Sequence, residues 1–91
     1  MSDLYEKIIY QNDDKYYQLR LVVNEYRDNQ YVHIRKYFLS YEGDYVPSTE
    51  GISMVASIDN IMSLLDGLLE LVSKEEATEA VTKYLQQKIN E

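Results

Sequence analysis

Between Lys15 and Phe38 the chain interleaves fixed cations with aromatic rings: Lys15, Arg20, Arg35 and Lys36 stand among Tyr16, Tyr17, Tyr26, Tyr31, Tyr37 and Phe38. Lysine and arginine attract phosphate oxygens, and a flat ring stacks against an unpaired base for about 1–3 kcal/mol. The two together suit single-stranded nucleic acid. Arg35, Lys36 and Phe38, beside Arg20 and Tyr26 and with added charge from Lys15, are the candidate binding residues. The same mixture also serves as an ordinary solvated strand face, so residue types alone leave both readings open.

Charge distribution bears on that choice. The chain of 91 residues has a formal net charge of -7, yet residues 15–40 hold Lys15, Arg20, Arg27, Arg35 and Lys36 against only Glu25 and Asp28. A partner meets the local field of one face, so an acidic total does not exclude an anionic ligand. Tyrosine occurs ten times, against one Phe and no Trp, and its apolar ring and polar tip suit half-exposed strands and contact surfaces.

Other chemistry finds little support. There is no cysteine, one histidine, and no glycine-rich phosphate loop among three glycines. His33 therefore reads as a half-buried strand residue. The neighbouring acids Asp13-Asp14 and Glu75-Glu76 lack metal-loop spacing and fit a turn and a helix start. No catalytic residue, metal site or cofactor is expected. No apolar run has bilayer-spanning length and the acidic start lacks a signal-peptide pattern, so a cytoplasmic, membrane-free protein is expected.

The elements that must position the rings and cations are strands. "LYEKIIYQ" at 4–11 is short and rich in β-formers, and "NDD" at 12–14 signals a turn. "KYYQLRLVVNEY" at 15–26 alternates, with Tyr17, Leu19, Leu21 and Val23 on one face and Tyr16, Gln18, Arg20, Val22, Asn24 and Tyr26 on the other. "RDNQ" at 27–30 turns the chain into "YVHIRKYFL". There Val32 and Ile34 point toward one face, and Tyr31, His33, Arg35 and Tyr37 toward the other. Phe38 does not share the parity of Arg35, so joint use requires a bend or bulge near Lys36 and Tyr37, or a role for Phe38 at the rim. After the turn "YEGD", the run "YVPSTEGISMV" carries Pro47 and Gly51, which suggest an edge, bend or bulge. Four strands with short turns imply an antiparallel meander.

The period then changes to helical. Ser57 can cap a helix in which Ile58, Ile61, Met62, Leu65, Leu68, Leu69 and Val72 recur on one face, widened by Leu64 and Leu71. One sheet cannot easily cover so broad a surface, and the same helix of a second copy is the simplest cover. Gly67 permits close helix approach. Ser73 with Glu76 forms a capping-box pattern for a second, weaker helix carrying Ala77, Ala80, Val81, Tyr84 and Ile89.

In "IRKYF" at 34–38, the acidic turn at 41–44 and "VPSTEGISM" at 46–54, followed by a long helix, the chain resembles the single-stranded-DNA-binding transcriptional coactivators of the positive cofactor four type, its phage members above all. The resemblance runs from about Tyr16 to Leu71. It implies an α+β fold: a curved four-stranded antiparallel sheet (β-β-β-β-α) with a long helix, here followed by a C-terminal helical extension. It further implies a homodimer through the helix at 57–72, with binding to single strands or unwound duplex, and service in transcription, replication or recombination in a cytoplasm, the host's if phage-encoded. On this resemblance Arg35 matches the strand arginine, Phe38 the stacking tryptophan and Tyr26 a stacking phenylalanine. Residues 1–74 form the binding domain and 75–91 the extension.

Two departures distinguish this chain. Thr49 and Glu50 replace a basic pair, and Val46 stands where the family has lysine, so this strand loses up to three phosphate contacts. Lys36 replaces an acidic residue and restores part of the positive field. An alternative use of the same fold is an acidic adaptor that recruits polymerase or replication factors with weak or no DNA binding.

Overall fold

The computed structural model describes residues 3–72 and 74–89. Strands β1 (Asp3–Asn12), β2 (Tyr17–Tyr26), β3 (Asn29–Leu39) and β4 (Tyr45–Val55) precede helices α1 (Ile58–Glu70) and α2 (Lys74–Ile89). All four strands form one antiparallel sheet in sequence order, as the alternation and short turns predict. The chain divides into two compact units, the sheet at Met1–Ser57 and the helices at Ile58–Glu91. The proposed capping residue Ser73 lies outside the described residues.

Turn chemistry corrects two strand boundaries. Lys15 belongs to the β1–β2 turn, where its main-chain N–H donates to Asn12 Oδ1 at 2.9 Å, and Tyr16 takes a left-handed φ of 57°. The next turn is shorter than "RDNQ" suggests. Arg27 and Asp28 alone make it, both left-handed at 51° and 66°, which lets Asn29 and Gln30 pair with Tyr26 and Glu25. Two consecutive positive φ values match the right-handed twist of a tight hairpin. The β3–β4 turn places Gly43 at φ 96°, with its N–H on Ser40 O at 3.0 Å.

Register assigns the faces. Cα partners Gln18↔Tyr37, Arg20↔Arg35, Val22↔His33 and Asn24↔Tyr31 share one face, and Leu19↔Lys36, Leu21↔Ile34 and Val23↔Val32 share the other. Burial is spread over both. Val32 is buried on the apolar face, whereas Val22, Tyr37 and Gln18 are buried on the polar one. The apolar face keeps exposed area, Ile52 being 70% accessible. Register shifts interrupt β1–β2 twice and β3–β4 once, between Arg35 and Tyr37, and strands bend at such points.

In the helical unit neither helix has a buried residue. α1 starts directly after Ser57 and carries an apolar face with Met62, Leu65 and Leu68 exposed. Its Leu69 lines a shallow cleft with Ala77, Thr78 and Val81 of α2. Apart from the adjoining residues and the helix's own backbone, no described residue lies within 4 Å of where a Cβ on Gly67 would be. No described helix is long and apolar enough to cross a membrane.

Candidate nucleic-acid interface

The bulge lies in β4, opposite Lys36. Arg35 pairs with Gly51 and Tyr37 with Pro47, so Ser48, Thr49 and Glu50 together oppose one residue of β3. Pro47 has no N–H to give a ladder, and Gly51 has no Cβ to obstruct one. An added Cβ at Gly51 would lie 2.8 Å from Ile34 O and 3.1 Å from Arg35 Cα, so only glycine lets β4 approach Arg35 this closely. Ser48 ties the bulge down: its Oγ donates to Lys36 O at 2.7 Å and accepts from Glu50 N–H at 3.1 Å.

That bulge opens a groove on the polar face. It is lined by Asp3 of β1, Val22 and Asn24 of β2, His33, Arg35, Tyr37 and Phe38 of β3, and Pro47, Ser48 and Thr49 of β4. Phe38 pairs with Tyr17 and Val46 on the opposite face, yet it borders the groove and is 45% accessible. The parity conflict between Arg35 and Phe38 is thus relieved by a bulge, but one in the neighbouring strand. Arg35 is oriented by a bond from its Nη1 to Ser48 O at 3.0 Å.

The other candidate cations are held differently. Arg20 sits opposite Arg35, with Nη1 2.8 Å from Glu6 Oε1, Nε donating to Gln18 Oε1 at 3.0 Å, and Cζ 4.1 Å from the centre of the Tyr37 ring. Gln18 in turn donates to Gln11 Oε1 at 2.8 Å, which satisfies a buried amide. Lys36 lies on the opposite face, 3.2 Å from Glu50 Oε2 and 4.6 Å from the centre of the Tyr17 ring. Lys15 is exposed in its turn. Tyr26 lies at the β2–β3 hairpin end of the polar face, 47% accessible, with Arg27 Cζ 5.0 Å from its ring centre. Tyr26 and Arg35 therefore share a face but not the groove. Asn29, the partner of Tyr26, lies six positions along β3 from Arg35, roughly 20 Å of strand.

Two groove residues, His33 and Tyr37, are not among the candidate binding residues. His33 joins Asn24 through Nε2 at 2.9 Å, and its Nδ1 is buried with no hydrogen-bond partner. Burial, then the Arg35 charge, hold the imidazole below the ordinary histidine range, against an opposing pull from Asp3. Tyr37 is not a free stacking ring. It is buried beneath Arg20, and burial followed by the Glu6 carboxylate pushes its hydroxyl above the usual range. Among the described residues no cluster of three or more His, Asp or Glu side chains could hold a metal ion.

No curated protein sequence matches the chain. Among solved structures it is similar to "Bacteriophage T5 Homolog of the Eukaryotic Transcription Coactivator PC4 Implicated in Recombination-Dependent DNA Replication". That likeness has a TM-score of 0.72 and 24% identity, and covers 96% of each chain. A PC4 homologue from Burkholderia pseudomallei is similar at a TM-score of 0.59 and 24% identity, over 81% of this chain and 99% of that one. These likenesses, both at 24% identity, bear on the fold alone. The sequence itself matches the family described as Transcriptional Coactivator p15 (PC4) over residues 13–61, a span that holds β2, β3, β4 and every groove residue but Asp3. With more than half of the chain inside that match, this protein belongs to the Transcriptional Coactivator p15 (PC4) family.

Proposed function

We propose that this chain is a homodimeric, largely sequence-independent single-stranded-DNA-binding protein acting in transcription, replication or recombination. The observation that carries the reading is the groove beside the β4 bulge, where a positioned guanidinium, Arg35, and a half-exposed ring, Phe38, border one concave surface. Arg35 contacts phosphate and Phe38 stacks on a base. Tyr26 offers a second ring at the far end of the same face, and Arg20, Lys36 and Lys15 supply further positive field. Family membership, and the T5 homologue's implication in recombination-dependent DNA replication, support DNA as the ligand. The protein binds rather than catalyses, works in a cytoplasm, and uses residues 1–74 as the binding domain with 75–91 as an extension.

The dimer forms through the helix at 57–72. Support comes from the apolar face of α1, which has no buried residue in a single chain, and from Ile52 on the sheet's apolar face, which is 70% accessible. Association buries both kinds of surface. Unwound duplex and transcription or replication proteins are further partners.

Fluorescence anisotropy of a labelled oligonucleotide, at low and moderate salt, tests this. Micromolar binding that weakens with salt is expected. Absence of binding at micromolar protein would leave the second reading, an acidic adaptor of the same fold, which the pairing of Arg20 with Glu6 and of Lys36 with Glu50 favours.

A further inference from the structure

Arg20 and Arg35 are Cα partners across β2 and β3, so two like charges stand directly opposite on the polar face. Such a pair is unfavourable unless an anion lies beside it. In this chain the anion is Glu6, reaching from β1 to within 2.8 Å of Arg20 Nη1. The two partners differ in freedom. Arg20 is fixed by Gln18 Oε1 and by the Tyr37 ring, and its side chain is 18% accessible; Glu6 lies on an edge strand, is 39% accessible, and besides Arg20 has the Tyr37 hydroxyl as a hydrogen-bond partner. A carboxylate and a phosphate offer a guanidinium the same fork of anionic oxygens.

We infer that Glu6 is a placeholder for a DNA phosphate: its carboxylate occupies Arg20 in the unbound protein and swings away when a phosphate takes that position between Arg20 and Arg35. Glu6 thereby lowers affinity and makes the contact exchangeable, since each phosphate arriving at Arg20 must displace an acceptor already in place. Arg35 differs in its bonded acceptor, which is the neutral carbonyl of Ser48, although Asp3 lines the same groove. The inference rests on the single-stranded-DNA reading above.

The test is a mutant cycle on the full chain, read by anisotropy with labelled oligo-dT at low salt. Glu6→Gln keeps the side-chain shape and removes the charge. Glu79→Gln, which removes the same charge from α2, measures the general field effect. Glu6→Gln is expected to bind about threefold or more tighter than Glu79→Gln, with the gain lost in an Arg20→Ala background. A gain no larger than that of Glu79→Gln, or one undiminished without Arg20, overturns the inference. If Glu6→Gln fails to fold by thermal melting, the Glu6 carboxyl carbon is followed by NMR in the wild-type protein. Oligo-dT should then shift it toward a free carboxylate, and an unmoved signal overturns the inference. No binding by the wild type would instead sink the DNA reading itself.

Discussion

Arg35 Nη1 donates to the main-chain oxygen of Ser48 at 3.0 Å, across the bulge that separates Gly51 from Pro47. The guanidinium is therefore oriented by backbone and keeps its charge uncompensated by that contact. The bulge does two things at once: it widens the groove on the polar face and fixes the one arginine there that has no carboxylate on it in the bonds described above.

On the proposed function, replacing that arginine takes away a phosphate contact with little structural loss, since the Ser48 carbonyl has the solvent of an open groove as an alternative partner. Arg35→Ala is expected to weaken oligo-dT binding by about tenfold at low salt and to reduce the salt slope by about 0.7, the value for one phosphate on a single strand. Phe38→Ala is expected to weaken it by about 5- to 100-fold, with the salt slope unchanged, because stacking is not ionic. Anisotropy over a salt series separates the two. Wild-type binding by the double variant would refute the placement of the site.

The close approach at Gly51 predicts a stability effect. A methyl group there meets Ile34 O at 2.8 Å, a backbone atom that cannot step aside alone. Gly51→Ala is expected to cost about 1–3 kcal/mol in urea unfolding, in the range of other overpacked sites. Gly67→Ala is the contrast, because open space surrounds it in the single chain and alanine is the better helix former by about 1 kcal/mol. A stabilised Gly67→Ala would also mean that no second helix needs close approach at that point.

Much of this was legible in the residues. The alternation of β2 and β3 assigned Arg20, His33 and Arg35 to one face, and Pro47 with Gly51 marked the bulge, because each has a backbone requirement that reads locally. What stayed hidden was set by pairing between strands. In β1, Leu4, Tyr5, Ile8, Ile9 and Tyr10 give both faces apolar residues, so its register is not fixed by pattern, and Glu6 could not be matched to Arg20. Lys36 and Arg35 are adjacent in sequence, yet they serve opposite faces. Tyr37 stands among cations in the sequence, and its burial goes with the Arg20 guanidinium that β2 lays over its ring.

His33 predicts a pH dependence. Its neutral form is favoured in the folded protein by burial and by Arg35, so its folded pKa lies below the unfolded value of 6.5. Between those two values the unfolded chain binds more protons, and stability rises with pH there. Above pH 6.5 the contribution is fully present, and it is lost as pH falls toward the folded value. Urea midpoints of wild type and His33→Gln, taken from pH 7.5 down to 5, should converge on acidification, the wild type losing more. Parallel curves would mean that His33 is not the titrating group.

The helix surface makes the last prediction. α1 carries Met62 and Leu68 each 54% accessible and Leu65 at 42%, and has no buried residue to anchor its apolar face. In a chain of 10.8 kDa a second copy roughly doubles the apolar area available for burial. Light scattering at micromolar concentration should give twice that mass for the wild type, and that of one chain for Leu65→Asp with Leu68→Asp. If the proposed dimer offers two grooves to one DNA, the monomeric variant should lose affinity for long oligonucleotides more than for short ones, through lost effective concentration. A wild type that scatters as one chain at these concentrations would remove the dimer, and with it the length dependence.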